Sequence, residues 1–157
     1  MIIKFNRRMT AALGATLLMA ALVGCDNNKD EVKTFNNTIN GVDLTYIYHY
    51  KGDVVTRQDA ENTIPYQSLG VSNEEQARKV IDPIGEAYSK IKGVTHSVDY
   101  KENVAQEHLS IDFNQAKISE LCHLPGASFS DCSQKFISLS ESEKLLKSQG
   151  FKEVKQP

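Results

Sequence analysis

No surplus of basic charge, no glycine-rich phosphate cradle and no run of twenty apolar residues occurs in this 157-residue sequence. Lysine and arginine number 18 against 20 acidic residues, a net charge of −2. A mildly acidic chain repels phosphate backbones, which argues against a nucleic-acid partner. It also gains no electrostatic grip on anionic lipid. The longest apolar run, Ala11 to Val23, would form a helix of roughly 20 Å, short of the ~30 Å hydrocarbon core of a bilayer. No glycine-rich loop leads into a helix, so no phosphate site is expected. Serines are frequent between Ser119 and Ser148, but none sits in a nucleophile elbow. No pair of carboxylates has surroundings that would separate their pKa values for acid–base work. Catalytic residues, cofactors and metal are therefore all expected to be absent. There is no internal repeat and no low-complexity tract. What is present, 40% hydrophobic and 24% charged residues, is a globular composition long enough for one modest domain.

The N-terminus reads as an address. Lys4, Arg7 and Arg8 precede the apolar run, and Leu22-Val23-Gly24-Cys25 closes it. Positive start, short apolar stretch and small residue are the parts of an export signal. The last four positions resemble the bacterial lipobox. That resemblance implies cleavage before Cys25, a diacylglyceryl thioether on its sulfur and a further acyl chain on the new amino group. Each buried methylene contributes about 0.8 kcal/mol, so two or three chains anchor firmly where one does not. Removing residues 1–24 takes away three basic side chains and no acid, leaving 15 against 20 and a net charge of −5. Asp26 follows the cysteine and, in enteric Gram-negative bacteria, resembles the signal that retains lipoproteins at the inner membrane. The expected location is the outer, periplasmic face of a cell membrane, with the inner favoured over the outer. Residues 25–34 then read as lipidated cysteine and flexible tether, and 35–157 as a single domain.

Within that domain Val42, Leu44, Tyr46, Tyr48 and Tyr50 alternate with polar residues up to Lys51-Gly52-Asp53, a strand ending in a turn. Phe35–Asn40 extends it backwards. A second strand starts at Val54, is interrupted by the polar Gln58–Asn62, and a third covers Thr63–Leu69. Ser72 with Glu75 forms a capping box. Ala77, Ile81, Ile84, Tyr88 and Ile91 keep helical spacing across Pro83, which predicts one long kinked helix ended by Gly93. Val94–Tyr100 and Val104–Phe113 form a hairpin. For their apolar sets to share a face, His96 must oppose Leu109, and His96 and His108 then point to opposite sides. Asn114 caps a short helix to Leu121, Phe136–Leu139 is extended, and Ser140 with Glu143 caps another helix ended by Gly150. Phe151–Val154 makes a last strand. The fold class is α+β, an antiparallel sheet with the long helix packed on one face and short C-terminal helices.

Several of these segments carry a family likeness. Asn40-Gly41, Tyr50-Lys51-Gly52-Asp53, Asp82-Pro83-Ile84 with Tyr88, Gly93-Val94, Ala105-Gln106-Glu107 with Ile111-Asp112, and Gly150-Phe151-Lys152-Glu153-Val154 resemble the YehR-like bacterial lipoproteins, the DUF1307 family. The likeness covers most of residues 35–154. It implies a small α+β lipoprotein domain and carries over no activity, cofactor or catalytic residue, only the anchor on Cys25.

Three constellations remain. Cys122 and Cys132 bracket a loop. In an oxidising envelope they read as a disulfide stabilising by about 2–3 kcal/mol; a metal site with His123 and a distant His108 fits no common zinc spacing. His49, His96 and His108 lie in polar strands and read as solvated side chains. The Tyr46, Tyr48, Tyr50 row reads as a packed sheet face in preference to an aromatic binding strip. The function expected is an envelope protein anchored to membrane lipid through Cys25, a non-enzymatic module binding a protein or small molecule. The alternatives are a hydrolase with a dispersed site and a purely structural component. A deep cavity with converging polar groups would favour a ligand or catalysis; a flat apolar patch would favour a protein partner.

Overall fold

The computed structural model describes residues 30–155 apart from 126, 128 and 130. The lipobox, Cys25 and Asp26 lie outside the described residues. The elements run β1 (Glu31–Ile39), β2 (Val42–Lys51), β3 (Val54–Pro65), a 3₁₀ turn at Tyr66–Leu69, α1 (Glu74–Ser89), β4 (Val94–Tyr100), β5 (Val104–Asp112), α2 (Ile118–Leu121), β6 (Ile137–Ser138), α3 (Leu139–Ser148) and β7 (Lys152–Val154). All pairings are antiparallel, in the order β4-β5-β3-β2-β1-β7, with the two residues of β6 on the start of β3. The fold is α+β.

Local chemistry sets the hairpins. Asn40 and Gly41 have φ of 52° and 79°, the left-handed pair that a two-residue turn needs to match strand twist. β4 and β5 adopt the register that the face rule requires, with His96 opposite Leu109 and Ser97 opposite His108. Between His49 and Tyr50 the β2–β3 register shifts. The Thr56 hydroxyl donates to the His49 carbonyl there, at 3.1 Å.

Alternation gives the sheet two unlike faces. One is covered by α1 towards β4 and β5 and by α3 towards β1 and β2. Under α1 lie Ile64, Tyr66, Ala77, Ile81 and Ala105. Under α3 a second cluster holds Phe35, Tyr48, Val55, Leu139, Leu146 and Phe151. The other face is polar and, among the described residues, carries no helix.

Several boundaries differ from the sequence expectation. β1 begins at Glu31, inside the segment read as tether, because nine residues of β1 pair with β2 and need no apolar pattern of their own. β3 is one continuous strand of twelve residues. Its polar centre is tolerated because β2 and β5 flank it on both sides and supply partners. Asn73, not Ser72, caps α1, accepting from the Gln76 amide at 3.0 Å; Ser72 instead donates its amide to the Gln76 side chain. α1 is a single helix with Pro83 inside it, and it ends at Ser89, before Gly93. Asn114 does not cap α2: its amide donates to the Asp112 carboxylate. Ser138, not Ser140, caps α3. The Ser140 amide is taken by Asp53 at 2.8 Å, and Glu143 pairs with Lys33 and Lys147.

Candidate functional site

Between the two apolar clusters the covered face is not filled. A cleft of about 410 Å³ opens over β2, β3 and β5, walled by α1 on one side and α3 on the other. Its size lies within the range of small-molecule sites, about 300–1,000 Å³. Ile84 and Tyr88 of α1 face it from one wall, and Leu145 and Leu146 of α3 from the opposite wall. Val80 and Leu145 stand at its mouth, 40% and 41% exposed. The helical apolar stripe expected of α1 is therefore shared. Ala77 and Ile81 are buried on the sheet, while Val80, Ile84 and Tyr88 border the open space.

The floor is polar. Strand alternation brings Gln58 and Asn62 of β3 to this side together with Ala60 and Ile64. Asn62 lies directly across from Glu107 of β5. The Asn62 amide nitrogen donates to Glu107 Oε2 at 2.8 Å. His96 Nε2 meets Glu107 Oε1 at 2.8 Å. A carboxylate only accepts, so this nitrogen carries the proton. His96 is 7% and Glu107 17% exposed at the side chain. The imidazole fits beneath α1 because residue 85 is glycine: a β-carbon there would stand 2.3 Å from the ring.

Asn62 Oδ1 is buried and has no hydrogen-bond partner among the described residues. Turning the amide over would set this oxygen against the Glu107 carboxylate, so the orientation is fixed by chemistry. Burial raises the pKa of the Tyr46 hydroxyl, and the Glu107 charge raises it further. The same two causes act in that order on Tyr88. Burial also pushes the Tyr48 hydroxyl up, so all three tyrosines keep their protons at neutral pH.

The polar face offers a second cluster. Asp59 accepts from Ser110 Oγ at 2.5 Å. Its other oxygen meets His49 Nε2 at 2.9 Å and Arg57 Nε at 3.2 Å. Ser, His and Asp are the residue types of a hydrolytic triad, but the order is wrong. The carboxylate lies between serine and histidine, so the imidazole has no contact through which to take the hydroxyl proton. His108 pairs with Glu61 on the same face.

The residues singled out from sequence are thus dispersed. Cys122 and Cys132 are joined, with Cα atoms 5.7 Å apart, and bracket the loop whose Pro125, Ala127 and Phe129 border the cleft. Neither sulfur is then free as a thiolate ligand. No three His, Cys, Asp or Glu side chains converge on a metal-sized site among the described residues. Among them, too, no helix is long and apolar enough to cross a membrane. His96 is buried and paired, unlike the solvated side chain expected. Tyr48 and Tyr50 are buried, yet Tyr46 and Tyr48 also line the cleft. Sequence reading missed Gln58, Asn62 and Glu107. The available signal was period two: Gln58, Ala60, Asn62 and Ile64 alternate with Arg57, Asp59, Glu61 and Thr63. The second set is wholly polar and the first mixes Gln58 and Asn62 with Ala60 and Ile64, which hides the cleft-lining face within a strand that reads as polar throughout.

The DUF1307 family, described as a protein of unknown function, matches residues 31–152. The uncharacterized lipoprotein Lin0239 of Listeria innocua is 42% identical over 151 residues, 96% of this chain and 98% of that protein. The uncharacterized lipoprotein YehR of Escherichia coli is 34% identical over 152 residues, again 96% and 98%. The NMR structure of Escherichia coli YehR superposes with a TM-score of 0.73 over 82% of this chain and 94% of that one. A protein from Streptococcus pneumoniae shares the fold at 15% identity, with a TM-score of 0.57 over 96% and 99%.

Proposed function

Since the chain belongs to the DUF1307 family, whose named relatives are lipoproteins, we propose that it is a membrane-anchored binding protein with its ligand site in the cleft between α1 and α3. The anchor is acylated Cys25, on the outer face of the membrane. Where the host has two membranes, Asp26 favours the inner one. Only Asp26–Asp30 separate the cysteine from β1. A tether of five residues would reach about 12 Å, which would keep the domain close to the bilayer surface. An oxidising envelope would maintain the Cys122–Cys132 bridge.

The observation that carries this reading is the unfilled cleft itself. Protein interiors are packed to crystal density, and here two apolar walls stay apart over a floor of Gln58, Asn62 and Glu107. Binding is favoured over catalysis because, among the described residues, the hydrogen-bond partners of Glu107 are His96 and Asn62, neither of them a nucleophile. Ser142 borders the cleft, but its hydroxyl donates to the Ser138 carbonyl at 2.8 Å.

Native mass spectrometry of the full chain extracted from the envelope tests both halves. The expected species starts at Cys25, carries acyl mass lost in Cys25→Ser, and retains a small-molecule adduct. That adduct should disappear in Ala60→Phe, which fills the floor, and in Val80→Glu, which charges the mouth. An unmodified cysteine would end the anchor reading. An adduct indifferent to both cleft variants would end the binding reading.

A further inference from the structure

The chemistry of the cleft restricts what it holds, if binding there is the function. We infer that the ligand is a small amphiphile with an apolar body and a cationic, hydrogen-bond-donating head, an alkyl- or arylammonium, seated with its head on Asn62 and Glu107. This inference rests on the cleft being the binding site and adds the ligand class.

Three observations carry it. Asn62 Oδ1 is a buried acceptor with no partner among the described residues, and its own amide nitrogen is committed to Glu107. Only a donor satisfies such an atom, and buried polar groups in native proteins are nearly always satisfied. Glu107 is the second. His96 occupies one of its oxygens and Asn62 the other, and a carboxylate offers about four lone-pair sites. It borders the cleft with acceptor capacity left and a negative charge. Third, no lysine, arginine or histidine is among the described residues lining the cleft. A carboxylate or phosphate head would meet Glu107 with only the His96 imidazole behind it and no cation lining the cleft, whereas an ammonium would be drawn to it. Tyr46, Tyr48 and Tyr88 also line the cleft, and aromatic rings attract cations held within about 6 Å of their faces. Ile84, Leu145 and Leu146 receive the apolar body, and Val80 and Leu145 leave an apolar mouth.

The test uses three probes of one shape, hexylammonium, hexanol and hexanoate, titrated into the full chain in phosphatidylcholine nanodiscs. Proton–nitrogen NMR of the Asn62 side-chain amide and of the β3 and β5 backbone reads site and affinity. Hexylammonium should move the Asn62 amide and bind about tenfold more tightly than hexanoate, the gain of one charge-assisted hydrogen bond. Leu145→Lys, at a mouth position 41% exposed, should lower hexylammonium affinity and raise that of hexanoate. Glu107→Gln should bring the three probes close together. Equal binding of all three in the wild-type cleft, or a preference for hexanoate, overturns the head assignment and leaves the cleft as the site. No shift in the cleft with any probe at millimolar concentration overturns both readings.

Discussion

The two faces of the sheet carry the same chemistry to different ends. On the polar face Asp59, 13% exposed, accepts from Ser110, and His49 and Arg57 lie against its other oxygen. On the covered face Glu107, 17% exposed, holds His96 and Asn62. Both carboxylates are nearly buried, and both sit beside a histidine on a neighbouring strand. The first network closes on itself, with every oxygen of Asp59 engaged. The second ends on Asn62 Oδ1, an acceptor with no partner among the described residues. A closed network holds strands together; an open one beside a cavity is poised for something outside the chain. Residue type and burial alone would rank the two clusters equally, and hydrogen-bond completeness separates them.

The largest effect expected bears on how the open network is held. Gly85→Ala sets a methyl group 2.3 Å from the His96 ring and should destabilise by about 2–3 kcal/mol, the range of overpacked interiors. Urea unfolding measures it, and the double variant Gly85→Ala with His96→Ala should recover most of the loss. No recovery would show that α1 does not rest on this imidazole.

Next comes the direct comparison of the two carboxylates. Asp59→Asn should cost about 2 kcal/mol, since hydrogen bonds to a charged group contribute about 1.5–3 kcal/mol. Glu107→Gln should change stability by under about 1 kcal/mol, because the Asn62 amide can turn over so that its oxygen accepts from the new amide while the glutamine oxygen still accepts from His96. Equal losses in unfolding experiments would erase the contrast drawn here.

The smallest effect concerns the strap from α3 to β1. Burial would lift the Glu143 carboxyl, but hydrogen bonds from Lys33 and Lys147 and their charge outweigh it and hold the pKa low. The ionised carboxyl therefore contributes fully above the unfolded value of about 4.3, and the contribution is lost as pH falls through the lower folded value. Wild-type stability should drop more steeply below about pH 5 than that of Glu143→Gln, by under about 1 kcal/mol for a partly exposed pair. Parallel pH curves would show that the pair contributes nothing.

Much of the architecture was legible because it is local. Asn40-Gly41 is an exception: the sequence reads as one strand running back through it, whereas both residues take positive φ and turn a tight hairpin between β1 and β2. The alternation of β2 and the 4-3-4-3 spacing of α1 follow from backbone periods. The His96–Leu109 register follows from requiring one apolar face. The caps expected at Ser72 and Asn114 lose to near neighbours, Gln76 and Asp112, but the one expected at Ser140 loses to a remote partner: Asp53 takes its amide from 87 residues away. β3 was broken on paper for the same reason. A central strand draws its hydrogen bonds and charge partners from both neighbours, and none of those partners is visible in its own sequence.

The sequence by itself determined the α+β class and the membership of a lipoprotein family, because side-chain period and short motifs are properties of neighbours along the chain. Only the tertiary structure decided that a cleft exists, that Asn62 and Glu107 share its floor, and that Gly85 makes room for His96. Those are contacts between residues 11 to 45 positions apart, brought together by strand pairing and helix packing, and sequence spacing does not encode the gap that two helices leave between them.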